Sequence, residues 1–221
     1  IASADYNHIE KHLLKEKANY SEKYWASRKL APSALIYYIG VSKKIKHLLH
    51  HNLFFDAGFS QHAAEIYDSP AWTGNPLFYV CAPSVTDETV AQAGHENLFI
   101  LIPVSTEIDE TDQIKEHYFN LVIDRIEKRT GETFKKDILF KEVFAKRDFI
   151  TEYNSFKGNA YGLSNTLRQT AILKPKIYNK NIKNLFYAGQ LTVPGPGVPP
   201  ALISGEIAAK QLLNYFNKSP R

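Results

Sequence analysis

The residues best suited to hold a ligand lie between Asn184 and Gly205. Leu185 to Ala188 is a short apolar run closed by Gly189, the pattern of a buried strand in an α/β sheet. Pro194, Gly195, Pro196 and Gly197 punctuate the loop that follows. Pro199 and Pro200 stand where a helix can start, because the first turn has no intrahelical partner for the N–H that proline lacks. From Ala201 to about Phe216 the spacing predicts a helix. Strand, tight loop and helix N-terminus bring a partial positive charge beside glycines that let a ligand approach the backbone. Such a corner captures a phosphate or another electron-rich oxygen. The plain alternative is a strand-to-helix connection stiffened by two prolines.

Other reactive residue types are scattered. His50 and His51 are adjacent, and neighbouring strand residues point to opposite faces, so sharing one ion is not expected. His62 and His95 stand alone, and no metal site is expected. Cys81 is the one cysteine; in Leu77-Phe-Tyr-Val-Cys-Ala82 it reads as a buried small hydrophobe rather than a nucleophile. An intramolecular disulfide is excluded. Arg147, Asp148 and Glu152 are charges in a region that is hard to place, with surface ion pairs as the alternative reading. No catalytic acid or base stands out.

The run Gly189-Gln-Leu-Thr-Val-Pro-Gly-Pro-Gly-Val-Pro199 resembles the C-terminal flavin-binding segment of the phytoene desaturase family, the bacterial-type carotenoid desaturases and isomerases. His50-His-Asn-Leu-Phe-Phe55, Ala82-Pro-Ser-Val-Thr-Asp87 and Asn154-Ser-Phe-Lys-Gly-Asn-Ala-Tyr-Gly162 resemble the same family in the same order. The resemblance runs from about Ser33 to Ala209.

It implies FAD as cofactor, with Gly189, Gln190, Gly197, Val198 and Pro199 contacting the flavin and its ribityl-diphosphate. Gln190 stands where related flavoproteins often carry an acid; it can hydrogen-bond but brings no charge. The resemblance further implies a carotenoid substrate, dehydrogenated along its linear isoprenoid chain. Tyr153, Phe156 and Tyr161 are then candidates for an apolar channel, with core packing as their alternative. Two further readings stay open: a carotenoid isomerase of the same family, and a non-catalytic fragment that binds an apolar ligand.

The Gly-x-Gly-x-x-Gly fingerprint for the ADP part of FAD is not found. The chain is therefore expected to be the C-terminal portion of a longer enzyme, its partner the missing N-terminal FAD-binding half, and inactive alone. The expected class is α/β (α+β): a mixed-sheet substrate domain plus the C-terminal strand and helix of an FAD-binding Rossmann-like domain. Residues 1–5 read as the end of an FAD-domain strand, 6–175 as the substrate-binding domain, and 176–221 as the C-terminal FAD-binding segment.

Composition is that of a globular chain: 221 residues, 44% hydrophobic, 23% charged, net charge +4. Lys43-Lys44-Ile45-Lys46 and the stretch Lys174 to Lys183 are the basic clusters, read as solvated surface or as attraction to anionic lipid. No nucleic-acid-binding fold accompanies the charge. No run of about 18 apolar residues is present, so no transmembrane helix is expected. A water-insoluble substrate then implies peripheral attachment to a membrane from the cytoplasm.

The supporting elements follow from periodicity. Tyr6 to Lys17 predicts an amphipathic helix through Ile9, Leu13 and Leu14; Ser33 to Gly40, His50 to Phe55, Pro76 to Ala82, Asn97 to Val104 and Ile138 to Ala145 predict strands. Asp56 to Tyr67 predicts a loop and short helix. Asp109 to Arg129 predicts a long helix, acidic at its start, basic at its end and stopped by Gly131. Pro103 suggests a strand end or an edge.

Overall fold

The computed structural model describes residues 1–218. The chain divides into two compact units, one of Ile1–Pro32 with Asp148–Arg221 and one of Ser33–Arg147. Residues 6–32 and 148–175, assigned from sequence to a substrate domain, thus group with the Gly189 loop.

The Ser33–Arg147 unit is built on one sheet. Ser33–Val41 (β1) is rich in β-branched and aromatic residues and buries every side chain except Tyr38. His51–Phe54 (β2), Phe78–Cys81 (β3), Glu96–Val104 (β4) and Ile138–Phe144 (β5) complete the order β2-β3-β4-β1-β5. All four ladders are antiparallel. In β4 burial alternates residue by residue, sending Leu98, Ile100, Ile102 and Val104 into the core.

Asp112–Thr130 is the long helix of this unit, α4 in chain order after Tyr6–His8 (α1), Glu22–Ala26 (α2) and Phe59–Tyr67 (α3). It starts at Thr111, whose side chain accepts from the Ile114 N–H, and ends at Gly131 in the left-handed region at φ 74°. Its Val122, Ile123 and Ile126 pack in one core with Leu35, Tyr37, Ile39 and Ile100. The Tyr37 hydroxyl, carried into that core, donates to the Lys115 carbonyl at 2.7 Å.

Pro103 lies in the central strand of the order, not at an edge. It is tolerated because the β3 ladder stops at Leu101, so no β3 residue pairs with Pro103. The expected strand end is correct in that local sense.

In the other unit, the helix predicted over Tyr6 to Lys17 changes winding and breaks at Lys15, whose φ is 50°. α1 passes into a π-helical turn over Ile9–Leu14 and a 3-10 turn over Lys15–Lys17. A π turn holds an extra residue and rotates the side chains after it. Ile9 is accordingly buried, whereas Leu13 is 71% exposed, contrary to the simple amphipathic pattern. The turn also buries Glu10, whose carboxylate accepts from the backbone N–H groups of Asn19 (2.5 Å) and Tyr20 (3.2 Å). Around it stand Tyr6, Trp25 and Tyr187, with Tyr6 and Tyr187 stacked at 3.8 Å.

Lys146–Tyr153 forms α5 and Val198–Lys218 forms α6. The strand expected at Leu185 to Ala188 is reduced to two single bridges. Phe186 pairs antiparallel with Tyr178, and Tyr187 pairs parallel with Ala2. Ala2 donates to the Phe186 carbonyl at 2.7 Å and accepts from Ala188 at 2.9 Å. Residues 1–5 therefore do approach extended pairing, but over one residue.

Candidate cofactor site

The loop after Ala188 borders a cavity of about 500 Å³ within the unit that carries it. Gly189, Gln190, Leu191 and Thr192 form one wall; Ser3 to Tyr6 and Ala201 approach from the flanking segments. Phe149 and Tyr153, four residues apart and so on one face of α5, form another.

Three contacts shape the loop. The Gly189 N–H donates to Ser204 Oγ at 2.7 Å, and Ser204 Oγ donates to the Ala201 carbonyl at 2.6 Å, which ties the loop to the first turns of α6. Gln190 Nε2 lies 3.4 Å from Asn159 Oδ1. Asn159, fully buried, also accepts from the Gly162 N–H at 2.6 Å and donates to the Phe156 carbonyl at 2.7 Å. One amide therefore locks the Phe156 to Gly162 loop to Gln190.

Gly162 explains why that loop needs glycine. Its φ is +85°, and a Cβ there would sit 2.6 Å from the Gln190 carbonyl oxygen. The close neighbour of the Asn159-Ala-Tyr161 turn is thus the Gln190 backbone. Around Gly189, by contrast, no heavy atom lies within 4 Å of a built Cβ. The chain there is bare toward open space.

The helix N-terminus behaves differently from the simple expectation. α6 begins at Val198, so Pro199 and Pro200 fill the second and third helical positions and neither carries an N–H. The Ala201 N–H is held by the Gly197 carbonyl at 3.0 Å. The dipole remains, but the first turn is poor in donors.

Of the residues expected to hold a cofactor, Gly189 and Gln190 line the cavity, whereas Gly197, Val198 and Pro199 are not part of its wall. Val198 is 76% exposed. Of the expected channel residues, Tyr153 lines the cavity. Phe156 instead packs edge-on against Trp25 at 5.9 Å in the aromatic cluster, and Tyr161 lies half-exposed outside the wall. Arg147, Asp148 and Glu152 also lie outside it; Asp148 and Glu152 occupy the helical positions just before the inward-facing Phe149 and Tyr153.

Two residues of interest escaped the sequence reading. Asp5 lines the cavity and accepts from the N–H groups of His8 and Phe156, each at 3.0 Å; burial raises its carboxyl above the ordinary value despite those bonds. Lys174, taken as solvated surface in a basic run, is buried, and its Nζ has no hydrogen-bond partner among the described residues. A Cβ at Gly195 would lie 3.1 Å from that nitrogen, so the cation sits against the glycine-proline loop. Desolvation holds its pKa below the ordinary lysine value. The signal for Lys174 was weak: Pro175 and an apolar Ile172-Leu173 before it.

In the sheet unit the structure corrects the view of His50, His51 and Cys81. His50 precedes β2 rather than lying in it, so strand alternation does not separate the two rings, whose centroids are 4.3 Å apart. His51 pairs with Cys81 across β2 and β3. Cys81 is half-buried, not a core residue. His62 is a satisfied core histidine: Nδ1 accepts from the Leu77 N–H at 3.1 Å and Nε2 faces the Pro103 carbonyl at 3.0 Å.

No family model matches the sequence. The chain is 39% identical to the carotenoid 3,4-desaturase of Haloarcula japonica over 96% of its own length and 43% of that protein. It is 30% identical to a 4,4'-diapophytoene desaturase of Staphylococcus haemolyticus, covering 96% of this chain and 44% of that one. It is 26% identical to the zeta-carotene-forming phytoene desaturase of Myxococcus xanthus, covering 97% and 42%. The chain thus spans about two fifths of the length of these curated relatives. Across nearly all of its residues, then, this chain is a relative of the carotenoid and phytoene desaturases, matched to a segment of them.

Proposed function

We propose that this chain is the flavin-loop portion of an FAD-dependent desaturase that removes two hydrogens from a linear carotenoid to extend its conjugation. The observation that carries the reading is Gly189 with Gln190 on the wall of an open cavity, in a chain similar along its length to carotenoid desaturases.

Two features favour a flat, partly anionic group, Gly189 on the cavity wall and Lys174 outside it. The space a Cβ would fill at Gly189 is empty. The buried Lys174 Nζ beside Gly195 lacks the partner that an anionic oxygen would provide. When bound, the flavin supplies the acceptor for the hydride equivalent, which no side chain can draw from a non-acidic C–H bond. The chain's own residues position and solvate. Gly189 allows close approach to the backbone. Gln190, steered by Asn159, offers a neutral hydrogen bond in place of a charge. Lys174 supplies a desolvated cation, worth more there than in water. Gly197, Val198 and Pro199 remain our assignments for the ribityl-diphosphate side. Phe149 and Tyr153 present the apolar surface on which an isoprenoid chain can lie; Phe156 and Tyr161 are left to packing.

The ADP portion of the cofactor belongs, in this reading, to the part of the longer protein outside this chain. Delivery of the substrate from a membrane is supported by Leu167 and Ile172, each 92% exposed, among the exposed basic residues Arg168, Lys176 and Lys180. No helix among the described residues is long and apolar enough to cross a membrane.

The test is reconstitution of the full-length protein with FAD and phytoene in anionic liposomes, followed by absorption spectroscopy and flotation. New long-wavelength bands establish desaturation. A spectral change with the number of double bonds unchanged assigns isomerisation instead. A protein that binds no flavin refutes the reading of the loop, and one that stays off the liposomes refutes peripheral attachment.

A further inference from the structure

We infer that His50, His51 and Cys81, in the sheet unit, form a binding site for a zinc-class metal ion. The ligand atoms of the three side chains all lie within 4.8 Å of one another. A tetrahedral zinc with Zn–N of about 2.0–2.1 Å and Zn–S of about 2.3 Å sets its ligands roughly 3.4–3.7 Å apart. The three groups therefore need to close by only about 1 Å, within reach of side-chain rotation.

The sheet builds the cluster. The β2–β3 ladder sets His51 opposite Cys81, and directly opposed residues share a face. That face is the one away from the core: Tyr79 and Cys81 alternate with the buried Phe78 and Val80. The Ala82 N–H donates to the His50 carbonyl at 2.8 Å, fixing the turn that carries the second ring beside the first.

Both rings are already oriented. His50 Nδ1 lies 2.6 Å from Thr86 Oγ1 and His51 Nδ1 lies 2.6 Å from the Tyr79 hydroxyl. Hydrogen bonds of this kind fix the tautomer and ring plane of metal-binding histidines. One thiolate and two imidazoles suit zinc or copper(I) over magnesium or calcium. Three protein ligands leave a fourth position for water or an exogenous ligand. His51 is exposed, so an ion can enter from solvent.

The test uses the full chain, reduced with a phosphine, freed of metal and titrated with cobalt(II). The expected result is one tightly bound cobalt per chain, a near-ultraviolet thiolate-to-cobalt charge-transfer band with tetrahedral d–d bands, and displacement by zinc. Cys81→Ser should abolish the charge-transfer band, and His51→Gln should weaken cobalt binding about tenfold or more. Thr86→Val should also lower affinity while leaving the band in place. Cobalt held by the neighbouring rings of His8 and His12, 4.6 Å apart in the other unit, would give no thiolate band and is separated by that absence. Absence of the band in the parent chain overturns the proposal. So does a band whose affinity is unchanged in both His50→Gln and His51→Gln, since a lone thiolate would then be the binder. Should Cys81→Ser lose its fold by circular dichroism, the exposed His51→Gln variant decides.

Discussion

Replacing Gly162 by alanine forces a methyl group against the Gln190 carbonyl. The built Cβ lies 2.6 Å from that oxygen and 2.9 Å from its carbon, about 0.8 Å inside the distance at which ordinary contact begins. The obstacle is backbone, held by the Gly189–Ser204 bond, so it does not swing aside as a side-chain tip would. A non-glycine residue at φ +85° costs about 1–2 kcal/mol. Overlap of this kind in a packed region costs about 1–3 kcal/mol more. Gly162→Ala should thus destabilise its unit by about 2–5 kcal/mol, read from denaturant midpoints. Gly131→Ala is the control: φ is +74° but no heavy atom lies within 4 Å of its Cβ, so only the conformational part, about 1–2 kcal/mol, applies. In the full-length protein, Gly162→Ala should also lower flavin retention, because Gln190 is displaced, while Gly131→Ala should not. Equal losses of stability in the two variants would refute the close-approach argument.

Lys174→Met removes a buried cation without a partner, so it should stabilise the chain by about 1–3 kcal/mol in thermal or urea melts while lowering flavin affinity in the full-length protein. Because burial depresses the lysine, its ionised form is disfavoured in the fold. Parent stability should rise as pH climbs toward 10.5, and that slope should be missing in Lys174→Met. His62 is likewise depressed by burial below 6.5, so its contribution is present above that pH and lost as pH falls. His62→Gln, which can reproduce both hydrogen bonds without titrating, should flatten the acid limb of the sheet unit's melting curve. Glu10 moves the other way. Desolvation raises it above 4.5, so its contribution is full below that value and is lost as pH rises through the folded pKa. The melting temperature of the parent minus that of Glu10→Gln should therefore shrink from acid toward neutral pH.

Strands and long helices were legible because they depend on local pattern. β1 and β4 announce themselves by β-branched and aromatic residues, α4 by acids at its start, bases at its end and Gly131, and α6 by the prolines that open it. What the pattern missed depends on partners distant in the chain. Leu185 to Ala188 has the composition of a strand, but its neighbours Ala2 and Tyr178 align for one residue each. Leu13 was misplaced because a π turn is not written in hydrophobic spacing. Lys174 looks solvated beside three other lysines between positions 174 and 183, and only the fold shows it buried. His50, His51 and Cys81 meet through a ladder register and a strand that begins one residue later than expected.

The way the sheet unit interrupts its neighbour bears on how the protein is made. The chain leaves the first unit at Pro32 and rejoins it at Asp148. Those two crossings adjoin β1 and β5, strands that pair side by side with Ile36 opposite Phe144. A guest whose two ends emerge together can be inserted or exchanged without tearing its host. On the ribosome, the guest has all of its strands before the latter part of the host is synthesised, so it can fold as each new chain lengthens. The host must wait, its first 32 residues holding exposed aromatic surface until Tyr187 arrives to stack on Tyr6. The Gly189 loop is thus among the last parts of this chain to find its place.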